Sequence, residues 1–252
     1  MADVKTPSSI APLKNVAALM TLIDRLQNRA SGLEAFGVFS GYPGLGKTIA
    51  ASYARNAARA IYLEVGSTWT KKDLLKKLLT ELDEPNHKGT LTDLLDRAIT
   101  TLAGDPDQVI LFDEADRLLD RKLIEIVRDL HDKLQIPVVL IGEERLRTKL
   151  GAPDFDRVQS RVLEWVLAQP CDLADAKMLA RYLVPKVEIS DGLLGDIVAQ
   201  TKGNARRIAT TLYQVEGEAV TTGAATMDQA TYQGTIHTGE APIRYSQKRR
   251  AA

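Results

Sequence analysis

"GYPGLGKT", residues 41–48, is the stretch that decides the fold. It fits G-x-x-x-x-G-K-[ST], with Gly41, Gly46, Lys47 and Thr48 at the fixed places and Tyr42, Pro43, Gly44 and Leu45 between them. Each fixed type has a chemical reason. Glycines let successive backbone N–H groups turn inward around phosphate oxygens, and a helix N-terminus adds positive potential. Lys47 would place its ammonium on the β- and γ-phosphates, and the Thr48 hydroxyl would ligate Mg²⁺. Gly41 to Ile49 is therefore the candidate ATP-binding stretch. The competing reading is a glycine-rich turn with a chance lysine. Against it, the apolar "AFGVFSG" reads as a strand running into the turn, and "KTIAASYARNAARA" reads as a helix leaving it.

A second stretch completes such a site. "VILFDE", residues 109–114, is an apolar strand ending in Asp113 and Glu114. Asp113 would hold the Mg²⁺ shell, and Glu114 would orient and deprotonate an attacking water. Glu directly after Asp favours hydrolysis over simple nucleotide binding.

The remainder alternates in the same way. "NVAALMTLIDRLQNRASG" has helical spacing with Gly32 as a stop, "IYLEV" (61–65) is a second strand, and "IPVVLIG" (136–142) and "VLEWVLA" (162–168) are two more. Continuous apolar runs suit strands buried on both faces of a parallel sheet. Thr70 with Asp73, and Thr90 with Asp93, read as capping boxes opening two helices. Between the acidic strand and "IPVVLIG", "DRKLIEIVRDLHDKLQ" is an amphipathic helix. After Pro170 only helical segments are expected, with no strand. The expected organisation is an extended segment and helix (1–34), an α/β nucleotide-binding domain with a parallel sheet (35–169), a small all-α lid (170–235) and a flexible basic tail (236–252) carrying Arg244, Lys248, Arg249 and Arg250.

Composition sets bounds. Lys plus Arg and Asp plus Glu balance at 33 each, which excludes a uniformly basic coat but not a local basic patch. Cys171 is the one cysteine, so an intramolecular disulfide and a cysteine zinc site are both excluded. His87, His131 and His237 lack ligand spacing. No apolar run reaches the roughly 20 residues that span a bilayer, and the start lacks the apolar core of a signal peptide. A cytoplasmic protein without a membrane partner is expected.

Asp113-Glu114-Ala115-Asp116 also spells the signature of a helicase family. That family resembles two tandem domains of comparable size, and this chain has room for one; the motifs that should follow are replaced by "IPVVLIGEERLR". Asp116 is accordingly expected to be accidental, the first polar residue of a helix. What "GYPGLGKT", "LFDEADRL", "VVLIGEERL", "VQSRV" and "KGNARRI" do resemble, over about 35–215, is the AAA+ ATPase superfamily, and within it the transposition-associated ATPases that select target DNA. Members with an N-terminal DNA-binding domain are longer, and no room for one is expected here.

The resemblance implies further roles. Arg161 in "SRV" would be an arginine finger reaching a neighbouring copy's ATP, with Arg157 as competitor. Arg206 in "GNARR" would be a sensor arginine, with Arg207 toward solvent. The helix after the second strand would line a DNA-binding bore. In "TKKDLLKKLL", Lys72, Lys76 and Lys77 lie off the leucine stripe and Lys71 sits in the first turn, although a solvated face supported by Asp73 and Glu81 is the alternative. Glu143 departs from the pattern: it stands where many such proteins place Asn or Thr beside the γ-phosphate, and a carboxylate there would need a cation. The implied partners are double-stranded DNA, a transposase and further copies of the chain in a filament or ring. The alternatives are a loader or remodeller acting on a protein in replication or secretion, and a small-molecule kinase, which the "GNARR" lid disfavours.

Overall fold

A computed structural model describes residues 13–240. The expected extended N-terminal segment and the basic residues of the tail lie almost wholly outside them. The described residues divide into two compact units between Pro170 and Cys171.

The first unit opens with α1 (Lys14–Gln27), which stops at Asn28 rather than running to Gly32. It continues through β1 (Phe36–Ser40), α2 (Lys47–Ala57), β2 (Ile61–Glu64), α3 (Lys71–Glu81), α4 (Leu91–Leu102) and β3 (Ile110–Asp113). Next come α5 (Asp116–Asp120), α6 (Ile124–Leu134), β4 (Val138–Gly142), α7 (Glu144–Leu150), a short 3-10 turn (Pro153–Phe155), α8 (Asp156–Gln159) and β5 (Val162–Leu167). The five strands form one sheet in the order β2-β3-β4-β1-β5, every pairing parallel. Parallel neighbours need crossovers, and helices on the faces bury the strands. Accordingly β1, β3 and β4 are buried at every position.

Periodicity becomes packing in α3 and α4. Thr70 accepts the Asp73 N–H while Asp73 takes the Thr70 N–H, and Thr90 and Asp93 repeat the arrangement. A cap of this kind contributes about 1 kcal/mol. Leu74, Leu75, Leu78 and Leu79 all face the sheet core with Phe36, Val38 and Phe112. Burying each such side chain contributes about 1.5–3 kcal/mol. Trp69 and Trp165 pack against the same cluster, so Trp165 is part of the core wall.

Three expectations change. The amphipathic helix expected over 120–135 is α6, which begins only at Ile124, after the separate short helix α5. Lys122 adopts a left-handed φ of 54°, and that turn separates α5 from α6. Asp116 is not accidental: it is fully buried, its Oδ2 accepts the Glu143 N–H at 2.8 Å, and its Oδ1 lies 3.3 Å from Arg145 Nε. A buried carboxylate is costly unless paired, and those two groups supply the pairing.

The third change lies in the second unit. This unit is α9 (Leu173–Leu183), β6 (Glu188–Ile189), α10 (Asp191–Thr201), α11 (Ala205–Thr222) and β7 (Thr226–Met227). The two short strands, where none was expected, pair in parallel, Glu188 with Thr226 and Ile189 with Met227. Two residues are too few to carry an alternation signal. The three helices begin at side-chain caps from Asp172, Ser190 and Asn204, and Leu193, Leu194, Ile197, Ile208, Leu212 and Val215 are among the residues that fill the interior.

Candidate functional site

Strand order places the chemistry. β4 lies between β1 and β3, so the loop leaving β1 and the acidic end of β3 open on the same edge of the sheet, with Gly142–Glu143 between them. Ligands of open parallel sheets bind at such carboxyl ends. The Gly41 N–H donates to the Gly142 carbonyl at 3.3 Å, and the Ala115 N–H donates to the Ile141 carbonyl at 2.8 Å. These two bonds fasten the glycine loop and the acidic turn to either side of β4.

The loop is built as a phosphate cradle. Gly46, at φ 87°, is the left-handed residue from which α2 starts, a conformation that side chains with a Cβ resist. Lys47, Thr48 and Ile49 form the first turn of α2, Thr48 and Ile49 toward its open side. Lys47 Nζ donates to the carbonyls of Gly41 (2.7 Å) and Tyr42 (2.9 Å). Burial pulls the Lys47 ammonium below the usual lysine pKa, against the opposing pull of Asp113, Glu143, Glu114 and Asp116. Buried Asn15 on α1 steadies the loop: its Nδ2 donates to the carbonyls of Leu45 and Gln169, and its Oδ1 accepts the Gln169 N–H, each at 2.8 Å.

Facing the loop, Asp113 is buried and accepts from the Tyr62 hydroxyl at 3.0 Å. Burial, followed by the Asp113 charge, raises the Tyr62 pKa strongly, so the phenol stays a donor and holds one carboxylate oxygen. Glu114 has a left-handed φ of 55°. For a non-glycine residue this is local strain, a conformation that clusters at functional sites. Its carboxylate lies 3.5 Å from Arg117, and Arg117 Nη1 donates to the Val65 carbonyl at 2.6 Å. Tyr42 faces Glu144 at the start of α7, and a hydrogen bond to that carboxylate raises the phenol pKa.

The donor set therefore fits a magnesium nucleoside triphosphate: a glycine loop leading into a helix N-terminus, an ammonium held at the loop, an exposed hydroxyl on the helix start and a held carboxylate opposite. Residues 30–150 match the family described as AAA domain. The fold is that of an AAA+ P-loop ATPase domain. Two curated relatives share 29% identity with it over 160 residues, the ATP-dependent target DNA activator B of Escherichia phage Mu and that of Escherichia phage D108. Each alignment covers 60% of this chain and 50% of the relative, so the chain spans about half the length of the curated relatives it matches. An Aeropyrum pernix Orc1 protein solved in complex with DNA superposes with a TM-score of 0.63 at 15% identity, over 89% of this chain and 65% of that one. A point mutant of Thermotoga maritima RuvB gives 0.61 at 18% identity, over 89% and 70%. Such identities show the AAA+ fold alone, and function rests on the site.

The other expected residues sit as follows. Arg161, just before β5, is paired with Asp132 of α6: its Nε reaches Asp132 Oδ1 and its Nη2 reaches Oδ2 at 2.7 Å. Arg157 on α8 is exposed, and among the described residues its guanidinium has no partner. Arg206 is exposed in the first turn of α11, while Arg207 is half-buried beside Gly239, so the expectation of Arg207 toward solvent is reversed. On α3, Lys71, Lys72 and Lys77 are exposed and Lys76 is half-buried. Asp73 is committed to its capping box and Glu81 to Arg55 at 2.8 Å. The Asp73 carboxylate stays charged in its cap and feels Lys76 and Lys77, but among the described residues none of the four lysines forms a salt bridge. His131 is buried between the Ile136 carbonyl (3.0 Å) and Glu34 (2.8 Å), a structural role. Among the described residues no helix is long and apolar enough to cross a membrane.

Sequence reading missed Asn15, Tyr62, Asp116, Arg117 and Arg145. Only Asp116 carried a signal, its place in "DEAD".

Proposed function

We propose that this chain is an ATP-dependent, sequence-non-specific DNA-binding ATPase that assembles on duplex DNA as a filament or ring, selects it as target and activates a transposase. The observation that carries the DNA reading is the set of lysines on α3, three of them exposed and none in a salt bridge among the described residues; α3 follows β2, next to the strand that ends at Asp113. The printed name of the phage relatives, target DNA activators dependent on ATP, supports the same reading.

In this scheme the loop N–H groups and Lys47 hold the phosphates. Thr48 and Asp113 hold Mg²⁺, which when bound neutralises phosphate charge. Tyr62 keeps Asp113 oriented, and Glu114 takes a proton from water. An arginine supplied across a subunit seam contributes about 10³–10⁵ in rate. Arg157 can take that role as it stands, whereas Arg161 must first leave Asp132. Arg206 is proposed to read the nucleotide from the second unit. Two to four phosphate contacts from one copy bind weakly, and a repeating array multiplies them. Such contacts read backbone rather than bases. The setting is cytoplasmic.

Turnover should rise when duplex of any sequence is added, and the log of the DNA affinity should fall against log salt by about 0.9 for each neutralised phosphate. Stimulation by a protein alone, with duplex inert, would overturn this reading in favour of a loader or remodeller.

A further inference from the structure

Carboxylates outnumber cations around the phosphate loop. Asp113, Glu114, Asp116 and Glu143 all act on the Lys47 ammonium, and a triphosphate would bring more negative charge to the same place. Glu114 has Arg117 beside it. Glu143, between the loop and the acidic turn, has Arg145: Nε lies 3.2 Å from Glu143 Oε2 and 3.3 Å from Asp116 Oδ1. Asp116 is fixed in turn. It is fully buried, it holds the Glu143 N–H, and a Cβ at Gly142 would stand 2.5 Å from its Oδ2. Its Oδ1 makes no hydrogen bond, so Arg145 is its counter-charge. Arg145 also follows Glu144, the residue that meets Tyr42 of the loop. A buried anchor on α5 and a cation on α7 spanning two carboxylates thus meet at the end of β4, to which the loop is fastened.

We propose that Arg145 is a positioning residue of the nucleotide site, clamped on Asp116 so that it neutralises Glu143 and keeps that carboxylate from repelling the terminal phosphate of a bound nucleoside triphosphate. The inference rests on the nucleotide-binding reading above. It assigns triphosphate-over-diphosphate preference to the Asp116–Arg145–Glu143 cluster. The diphosphate lacks the phosphate that Glu143 would oppose, so its affinity depends little on Arg145. Charge is the operative property, so lysine at 145 retains most of the function and glutamine does not.

The test is titration calorimetry of a non-hydrolysable ATP analogue and of ADP, each with Mg²⁺, on the full chain. Wild type, R145Q, R145K, E143Q and R145Q/E143Q are compared, with thermal unfolding as the check on folding. R145Q should weaken the analogue about tenfold or more, and ADP by less than about threefold, since an interaction of about 1.4 kcal/mol is a factor of ten. E143Q placed on R145Q should restore the analogue to within about threefold of wild type, and R145K should stay near wild type. An unchanged analogue-to-ADP ratio in R145Q, or a loss that E143Q does not relieve, overturns the proposal. If R145Q does not fold, E143Q alone decides: affinity for the analogue equal to or above wild type supports the proposal, and a tenfold loss contradicts it. A wild-type chain that binds neither nucleotide would instead remove the reading on which the proposal stands.

Discussion

Alanine at position 47 is expected to abolish useful ATP binding, weakening it on the order of 100-fold, and to remove DNA binding with it. The first part follows from the loop. The Lys47 ammonium sits under the glycine turn, held by the Gly41 and Tyr42 carbonyls among the carboxylates of Asp113, Glu114, Asp116 and Glu143. Without it the phosphates lose the one ammonium that stands in the loop against the nearby carboxylates. A charge-assisted contact contributes about 1.5–3 kcal/mol, and about 1.4 kcal/mol is tenfold. The second part follows from multiplicity. In the proposed scheme one copy offers only a few lysines on α3, so that tight DNA binding would need an assembled array, and the array would need nucleotide. Filter binding of labelled duplex at matched salt, beside calorimetry of ATP, measures both parts. Assemblies that K47A still forms without ATP would separate nucleotide from DNA and refute the linkage.

Glutamine for Glu114 has the opposite signature. Binding is retained because Lys47, Thr48 and Asp113 are untouched, while turnover falls by about 10²–10⁴, the usual contribution of a general base. The site stays loaded, so E114Q should accumulate as ATP-bound, DNA-bound assemblies that dissociate slowly. Phosphate release and dissociation from duplex, measured together, check this. Rapid turnover by E114Q would take Glu114 out of its role. The left-handed backbone at Glu114 and the arginine beside it place the side chain at a turn where its direction is set by few contacts.

Much of this was legible in the sequence, for a physical reason. The phosphate loop is local: the consecutive residues 41–48 fix backbone conformation, ammonium and hydroxyl together. The acidic strand end is local too, and so are the capping boxes of α3 and α4, where each partner lies three residues away. What stayed hidden is set by tertiary distance. Tyr62 meets Asp113 across the β2–β3 pairing. Asp116 meets the Glu143 N–H only because β4 lies beside β3. Nothing near Arg161 in the sequence pointed to a partner, yet α6 brings Asp132 to it. Likewise Glu81 read as support for a solvated α3 face, yet the fold pairs it with Arg55. The pair β6–β7 is the case of a segment too short for its pattern to register.

The proposed function puts ATP at a seam between identical copies, with closure of the seam building the DNA-binding array. Sedimentation velocity of the chain with a non-hydrolysable ATP analogue and duplex DNA tests it most directly. Large assemblies are expected that need both nucleotide and duplex and that disperse when nucleotide is withdrawn. A chain that sediments as a monomer with both ligands at saturation would contradict it.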